Sequence, residues 1–202
     1  MEISVIGFGN MGAGIAKRAA SHGHNVSVYL RTPSAEKPAD KITFYKLGED
    51  FDGEIVIMAL PYESQLEVAK AFAKQLSGKI VVDISNPIDW QTFKLKTPAG
   101  KSAAEQIAEL APGTRIIKAF NMIFSGTLAL EKVGGSEIDL VFAGDDMGSK
   151  EIFGGFIKSL GMRPLDGGEL ANARALEAFE LVQILLQKQL GGNMMSAVKF
   201  VA

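Results

Sequence analysis

The chain has 202 residues, a formal net charge of −2, 47% apolar residues and no cysteine. That length supports one substantial core and not two full-sized domains, and the mixture of apolar and charged residues excludes a disordered chain. Slight acidity argues against a nucleic-acid partner, and the lack of Cys excludes disulfide scaffolds, thiolate zinc sites, iron–sulfur clusters and Cys nucleophiles.

Apolar runs alternate with amphipathic stretches along the whole sequence. Residues 3–6 read as a first strand and 10–21 as a helix. Strands follow at 26–30, 42–47 and 55–60. The last is almost wholly apolar, as a central parallel strand buried on both faces should be. A helix is expected over 63–76, a strand over 80–84, and a helix over 101–110, where Ser102 and Glu105 have the spacing of a capping box. Strands are read at 115–120, 140–143 and 163–166, with a helix at 149–160 between the last two. The longest helix is expected over 169–190, with a tail at 191–202. Two connections stand out. Residues 32–41 carry Pro33 and Pro38, which argues against a full crossover helix. Residues 87–100 form a long polar loop bearing Trp90 and Phe93, of the kind that usually covers a site. Strand–helix alternation of this sort predicts an α/β fold with a mostly parallel sheet.

Gly7-Phe8-Gly9-Asn10-Met11-Gly12 is a G-x-G-x-x-G that follows a strand and opens an Ala-rich helix. That context is the one a dinucleotide site requires. Gly7 permits the tight turn, Gly9 lets the backbone approach a pyrophosphate, and Gly12 lets helix and strand pack closely. A ligand-free Gly-rich turn is the plain alternative. The second strand ends in Arg31-Thr32-Pro33-Ser34, and the first acid after it is Glu36. An Arg with the hydroxyls of Thr32 and Ser34 nearby suits a 2′-phosphate, so NADP is preferred over NAD. His22 and His24 are the only two histidines. They fall in the turn at the sheet edge opposite ligand-binding strand ends and are read as structural. No metal site is expected.

Pro61, Ser85, Asn86 and Asn121 all lie just past the ends of expected strands, where open α/β sheets bind ligands. An Asn side chain carries the donors and acceptor that a carboxamide needs. Equally, Ser85-Asn86-Pro87 can be a plain turn and Asn121 a helix cap. Asp83 and Lys118 are the ionisable groups nearest this edge. Asp83 suits a loop tether, and Lys118 suits a place at the sheet edge or on a polar face. No catalytic side chain is assigned.

With these residues in view, the chain resembles the NADP oxidoreductases that act on the deazaflavin coenzyme F420, and the cytosolic domain of six-transmembrane ferrireductases. Val82-Asp83-Ile84-Ser85-Asn86 and Ile117-Lys118-Ala119-Phe120-Asn121 look like the strand-end segments of the ferrireductase domain. Residues 161–168 and 172–174 match both groups, and residues 195–200 resemble the C-terminal end of the deazaflavin enzymes. The resemblance implies a Rossmann-type, doubly wound, mostly parallel sheet with a C-terminal helical extension, forming a single domain over residues 1–202. It implies that Gly7, Gly9, Asn10, Met11 and Gly12 form the pyrophosphate loop and that Arg31 takes the 2′-phosphate. Leu60 and Pro61 would lie beside the dinucleotide, with Ser85, Asn86, Pro87, Ala119 and Asn121 at the nicotinamide end.

The expected function is an NADP(H)-dependent oxidoreductase passing hydride to a flat redox acceptor, deazaflavin or flavin-like. A non-catalytic NADP-binding module that senses redox state or serves a partner is one alternative. A truncated hydroxyacid-dehydrogenase-like reductase is another, although too few residues follow the last strand for its helical domain. The sequence begins without a basic leader, and its longest apolar runs fall below the roughly 18 residues of a spanning helix, so a cytoplasmic protein without membrane contact is expected. Apolar residues on more than one stripe of 169–190 lead us to expect a homodimer. Its helix would bury one side on the sheet and the other on a second copy. The acceptor cleft is expected between Pro61, the Ser85-Asn86-Pro87 turn and Asn121, covered by Trp90 and the Met194-Met195 region.

Overall fold

The computed structural model describes residues 1–33, 39–191 and 194–201. In chain order the elements are β1 (Glu2–Ile6), α1 (Asn10–Ser21), β2 (Asn25–Leu30), β3 (Ile42–Lys46), β4 (Ile55–Met58), α2 (Tyr62–Ala71), α3 (Ala73–Leu76) and β5 (Ile80–Asp83). Then come β6 (Ile88–Asp89), β7 (Lys94–Leu95), α4 (Ala103–Leu110), β8 (Arg115–Lys118), β9 (Lys132–Val133), β10 (Ser136–Gly144), α5 (Met147–Ser159), β11 (Met162–Asp166) and α6 (Ala173–Gln187).

The main sheet runs β11-β10-β8-β5-β4-β1-β2-β3. From β3 to β8 every neighbour is parallel. β10 then enters antiparallel to β8, and β11 lies parallel to β10. This is a Rossmann-type doubly wound sheet: the alternation predicted the mostly parallel α/β fold, and the resemblance implied its doubly wound form. Its order reverses between β1 and β4, and the crevice outside that switch point is where such sheets take ligands.

Alternation along each strand divides the core. Ile3, Val5, Val28, Ile55, Ile57 and Val82 pack on one face with Ile15, Ala16, Phe153 and Phe156 from α1 and α5. Ile6, Val56, Met58 and Val81 pack on the other with Val68, Leu76 and Ile107 from α2, α3 and α4. Covering on both faces is what makes β4, Ile-Val-Ile-Met, apolar at every position.

Several boundaries differ from the sequence reading. The expected helix 63–76 breaks at Phe72, whose φ/ψ of −113°/20° is non-helical and whose ring packs edge-on to Phe51. β4, β5 and β8 stop one or two residues early, because the chain turns at Ala59, Ile84 and Ala119 to form the crevice. β10 is much longer than 140–143, since its first residues pair with β9 and β11. The expected loop 87–100 holds the two-residue strands β6 and β7, which pair with each other. Ser102 and Glu105 do form the capping box on α4. His24 is buried and bonds Ser159 Oγ at 2.8 Å, which agrees with a structural reading.

The largest correction concerns α6. Its buried residues are Ala173, Glu177, Glu180, Gln183 and Gln187, while Phe179, Val182, Leu185, Leu186 and the following Leu190 are exposed. The helix therefore seats its polar stripe, not an apolar one, against the body of the protein. Specific partners offset part of that desolvation. Gln183 Nε2 donates to Met122 O at 2.9 Å, and Gln187 Nε2 donates to Ser196 Oγ at 2.7 Å. The described residues of the tail do not cover the apolar side. Lys199 Nζ and the Phe200 amide both donate to Asp139 on β10, next to the edge strand. No helix among the described residues is long and apolar enough to cross a membrane.

Candidate functional site

The β1–α1 turn is built for close approach. Gly7 has φ +99°, a left-handed value that side chains rarely adopt, and its amide donates to Tyr29 O at 3.1 Å. A Cβ at Gly12 would stand 2.4 Å from Gly7 O and 3.0 Å from Ala59 Cβ, so only glycine lets α1 start this near β4. A Cβ at Gly9 would meet nothing within 4 Å. Gly9 is the N-cap of α1 and supplies no side-chain bond, and the first turn carries no acid. The leading amides of α1, at Asn10 and Met11 among others, are thus left for an external acceptor, and the helix dipole adds partial positive charge.

A cleft of about 730 Å³ extends from this turn. Gly9, Asn10 and Met11 form one end, Leu60 and Pro61 the floor beside the switch point, and Ser85, Asn86 and Pro87 the other end. Trp90, 62% exposed, stands on its rim and makes an edge-on contact with Phe93. Across the mouth, Lys96 Nζ lies 2.6 Å from Glu63 Oε1, joining the hairpin loop to α2. That hydrogen bond from Lys96 holds the Glu63 carboxyl below its usual range.

A second cleft of about 280 Å³ adjoins it, sharing Leu60 and Pro61 and lined also by Gly7, Leu30, Arg31 and Ser64. Arg31 stands at its edge. Its side chain is 77% exposed, with Glu67 Oε2 3.7 Å from Nη2. Thr32 is exposed beside it. Ser34 lies outside the described residues.

The nicotinamide-side residues of the sequence reading are brought together, but not all line the cleft. Asn121 is buried and sits behind Asn86. Asn86 Nδ2 donates to Asn121 O at 2.9 Å, and Asn121 Nδ2 donates to Leu176 O of α6 at 3.0 Å. Its donors are spent within the protein, so Asn121 braces Asn86. Ala119 is wholly buried. Between them Phe120 adopts φ +60°, an uncommon value for an aromatic residue, held by packing against Phe153. Ser85 Oγ, buried within the cleft wall, finds no hydrogen-bond partner among the described residues, nor does Asn121 Oδ1. Met194 and Met195 lie against Gly126 and do not reach the cleft lining, which corrects the expected cover.

Lys118 also departs from expectation. It is neither at an edge nor on a polar face, but fully buried between β5 and α6. Its Nζ donates to Asp83 Oδ2 at 2.8 Å, Ser85 O at 2.7 Å and Glu177 Oε1 at 2.8 Å. Burial opposes the ammonium, but the facing carboxylates Asp83 and Glu177 outweigh it and raise the Lys118 pKa. Glu177 is pushed up by its burial and by Asp83, against the pull of Lys118. Asp83 Oδ1 accepts the Ser85 amide at 2.7 Å, the loop tether the sequence suggested. The sequence carried no signal for Glu177, which lies 59 residues beyond Lys118 on a helix whose burial looked apolar.

Residues 2–87 match the family described as NADP oxidoreductase coenzyme F420-dependent. The F420-dependent NADP reductase of Methanocaldococcus jannaschii is 28% identical over 199 residues, spanning 88% of each chain. Metalloreductase STEAP3 of Rattus norvegicus is 30% identical over 184 residues, which cover 89% of this chain but 36% of that protein. A crystal structure from Arthrobacter sp. FB24, described as a candidate F420-dependent NADP-reductase, superposes with a TM-score of 0.88 at 26% identity and covers 99% of both chains.

Proposed function

From the premise that the chain is a relative of the coenzyme F420-dependent NADP oxidoreductases, we propose that it is an NADP(H)-dependent oxidoreductase that exchanges hydride with a flat, flavin-like or deazaflavin acceptor in the larger cleft. The observation that carries this reading is the shape of the β1–α1 turn. Its Gly9 position faces open space, its helix amides lack acceptors, and it opens directly into a cleft whose far wall holds an unpartnered Ser85 Oγ. Those features fit a dinucleotide laid from pyrophosphate to nicotinamide across the switch point.

In this reading Gly9, Asn10 and Met11 hold the pyrophosphate through backbone amides, in a turn whose close packing Gly7 and Gly12 permit. Arg31, with Thr32 and Ser34, receives the 2′-phosphate, and Leu60 and Pro61 support the middle of the molecule. Ser85, Asn86 and Pro87 orient the nicotinamide end, with Ala119 and Asn121 behind them. The bound cofactor supplies the hydride chemistry. The chain aligns the two rings and excludes water, which needs no side-chain acid. Trp90 offers a flat apolar face at the rim for the acceptor. Residues 1–202 then act as one nucleotide-binding unit, in the cytoplasm.

The exposed apolar side of α6 supports self-association as a homodimer, since Phe179, Val182, Leu185 and Leu186 are left uncovered by the described residues. The functional test is a pair of measurements. NADPH oxidation is screened against deazaflavin, flavin, quinone and ferric-chelate acceptors. NADPH and NADH are titrated into the wild type and Arg31→Ala. NADPH should bind wild type the more tightly, and the substitution should cost NADPH about 1.5–3 kcal/mol while sparing NADH. Equal affinities in the wild type would remove the NADP assignment.

A further inference from the structure

We infer that Lys118 is a positioning residue for hydride transfer, clamping the backbone of Ser85 between Asp83 and the C-terminal helix through Glu177. The inference rests on the functional reading above, in which the Ser85-Asn86-Pro87 turn orients the nicotinamide end. Both polar groups of the Ser85 peptide backbone are held from behind. The amide donates to Asp83 Oδ1, and the carbonyl accepts from Lys118 Nζ. With three donors and three acceptors at 2.7–2.8 Å, the Lys118 ammonium is saturated. It is thus unavailable as a proton donor to anything in the cleft.

Glu177 extends the clamp to α6 and to the start of α4, where it accepts the Ala103 amide at 3.0 Å. A parallel link joins the same helix to the neighbouring residue of the turn: Leu176 O holds Asn121, whose carbonyl holds Asn86. Two adjacent residues of α6 therefore fix two adjacent residues of the cleft wall, by separate bonds. Stability alone does not call for such a cluster, since buried ion pairs are often replaced by apolar groups without loss. Here the cluster gives what apolar packing cannot, a hydrogen-bonded register for a turn that must be placed to within a fraction of an ångström.

The test uses the full chain with NADPH as probe. Lys118→Met removes the clamp. Lys118→Met combined with Glu177→Gln removes it without leaving two unpaired buried carboxylates, and keeps the experiment readable should the single variant not fold. Three quantities are followed: the dissociation constant of NADPH, the fluorescence of its bound nicotinamide ring, and the single-turnover rate of hydride transfer to the best acceptor found. The expected result is an NADPH affinity within roughly threefold of wild type, because adenosine and pyrophosphate contacts are untouched. The nicotinamide fluorescence should fall toward that of free cofactor, and the transfer rate should drop roughly a hundredfold, the cost of a misplacement of about 1 Å. If the folded double variant keeps both the fluorescence and the transfer rate of wild type, the clamp is only structural and the inference is overturned. If wild type itself fails to bind NADPH, the functional reading falls first and takes the inference with it.

Discussion

Substituting the two glycines that flank the start of α1 should separate cofactor binding from stability. In Gly12→Ala the new Cβ meets the backbone Gly7 O at 2.4 Å and the Ala59 Cβ at 3.0 Å, neither of which can rotate away. α1 must then move off β1 and β4, and overpacking of this kind costs about 1–3 kcal/mol. The gain of about 1 kcal/mol in helix propensity from Gly to Ala offsets part of it. A net loss of up to about 2 kcal/mol in a chain of this size lowers Tm by up to roughly 8 °C. In Gly9→Ala the backbone, at φ −69° and ψ −169°, already suits alanine, and the Cβ enters empty space. The lost N-cap preference and the stiffer unfolded chain nearly cancel, leaving stability within about 0.5 kcal/mol of wild type. That Cβ nevertheless occupies ground assigned to the pyrophosphate, so NADPH affinity should fall at least roughly tenfold, or about 1.4 kcal/mol. Thermal melts and calorimetric titration with NADPH give both numbers. A Gly9→Ala protein that binds NADPH as wild type does would refute the placement of the pyrophosphate, whatever its melting temperature.

The buried stripe of α6 gives a pH prediction. Burial without a partner for Oε2 pushes the Glu180 carboxyl up to about 8, from an unfolded value of 4.5. A raised acid stabilises the fold most fully below its unfolded value, and that contribution is lost as pH rises toward the folded one. Between pH 5 and pH 8 the loss comes to about 3 kcal/mol. Glu180→Gln should remove this slope and melt higher than wild type at pH 8 but not at pH 5; parallel Tm profiles for the two proteins would contradict it. On the opposite side of the helix, Leu185 is 58% exposed, and Leu185→Glu should convert the proposed homodimer to monomer by light scattering at micromolar concentration. A wild type that is already monomeric there would dismiss the dimer.

Local pattern determined much of this protein. The G-x-G-x-x-G between an apolar strand and an Ala-rich helix specifies a β-α turn in which Gly7 and Gly12 leave no room for a side chain, and the tightest approach, Gly12 to Gly7 O, is between residues close in the chain. The apolar run of β4 required cover on both faces, and so a parallel sheet between helix layers. Ser102 and Glu105 needed only their mutual spacing to cap α4. What tertiary structure alone decided lies where distant segments meet. The sequence showed Lys118 as a stray cation and Glu177 as one acid on an apolar helix. Only when β5, β8 and α6 come together does either acquire its partner, and the low dielectric of that contact makes the pairing obligatory. The same packing reversed the sequence reading of α6. Hydrophobicity predicts which side of a helix wants burial, but the donors and acceptors already waiting on the protein body, Met122 O, Lys118 Nζ and the Ala103 amide, selected the polar side. The apolar side was left outward, with none of the described residues packed over it.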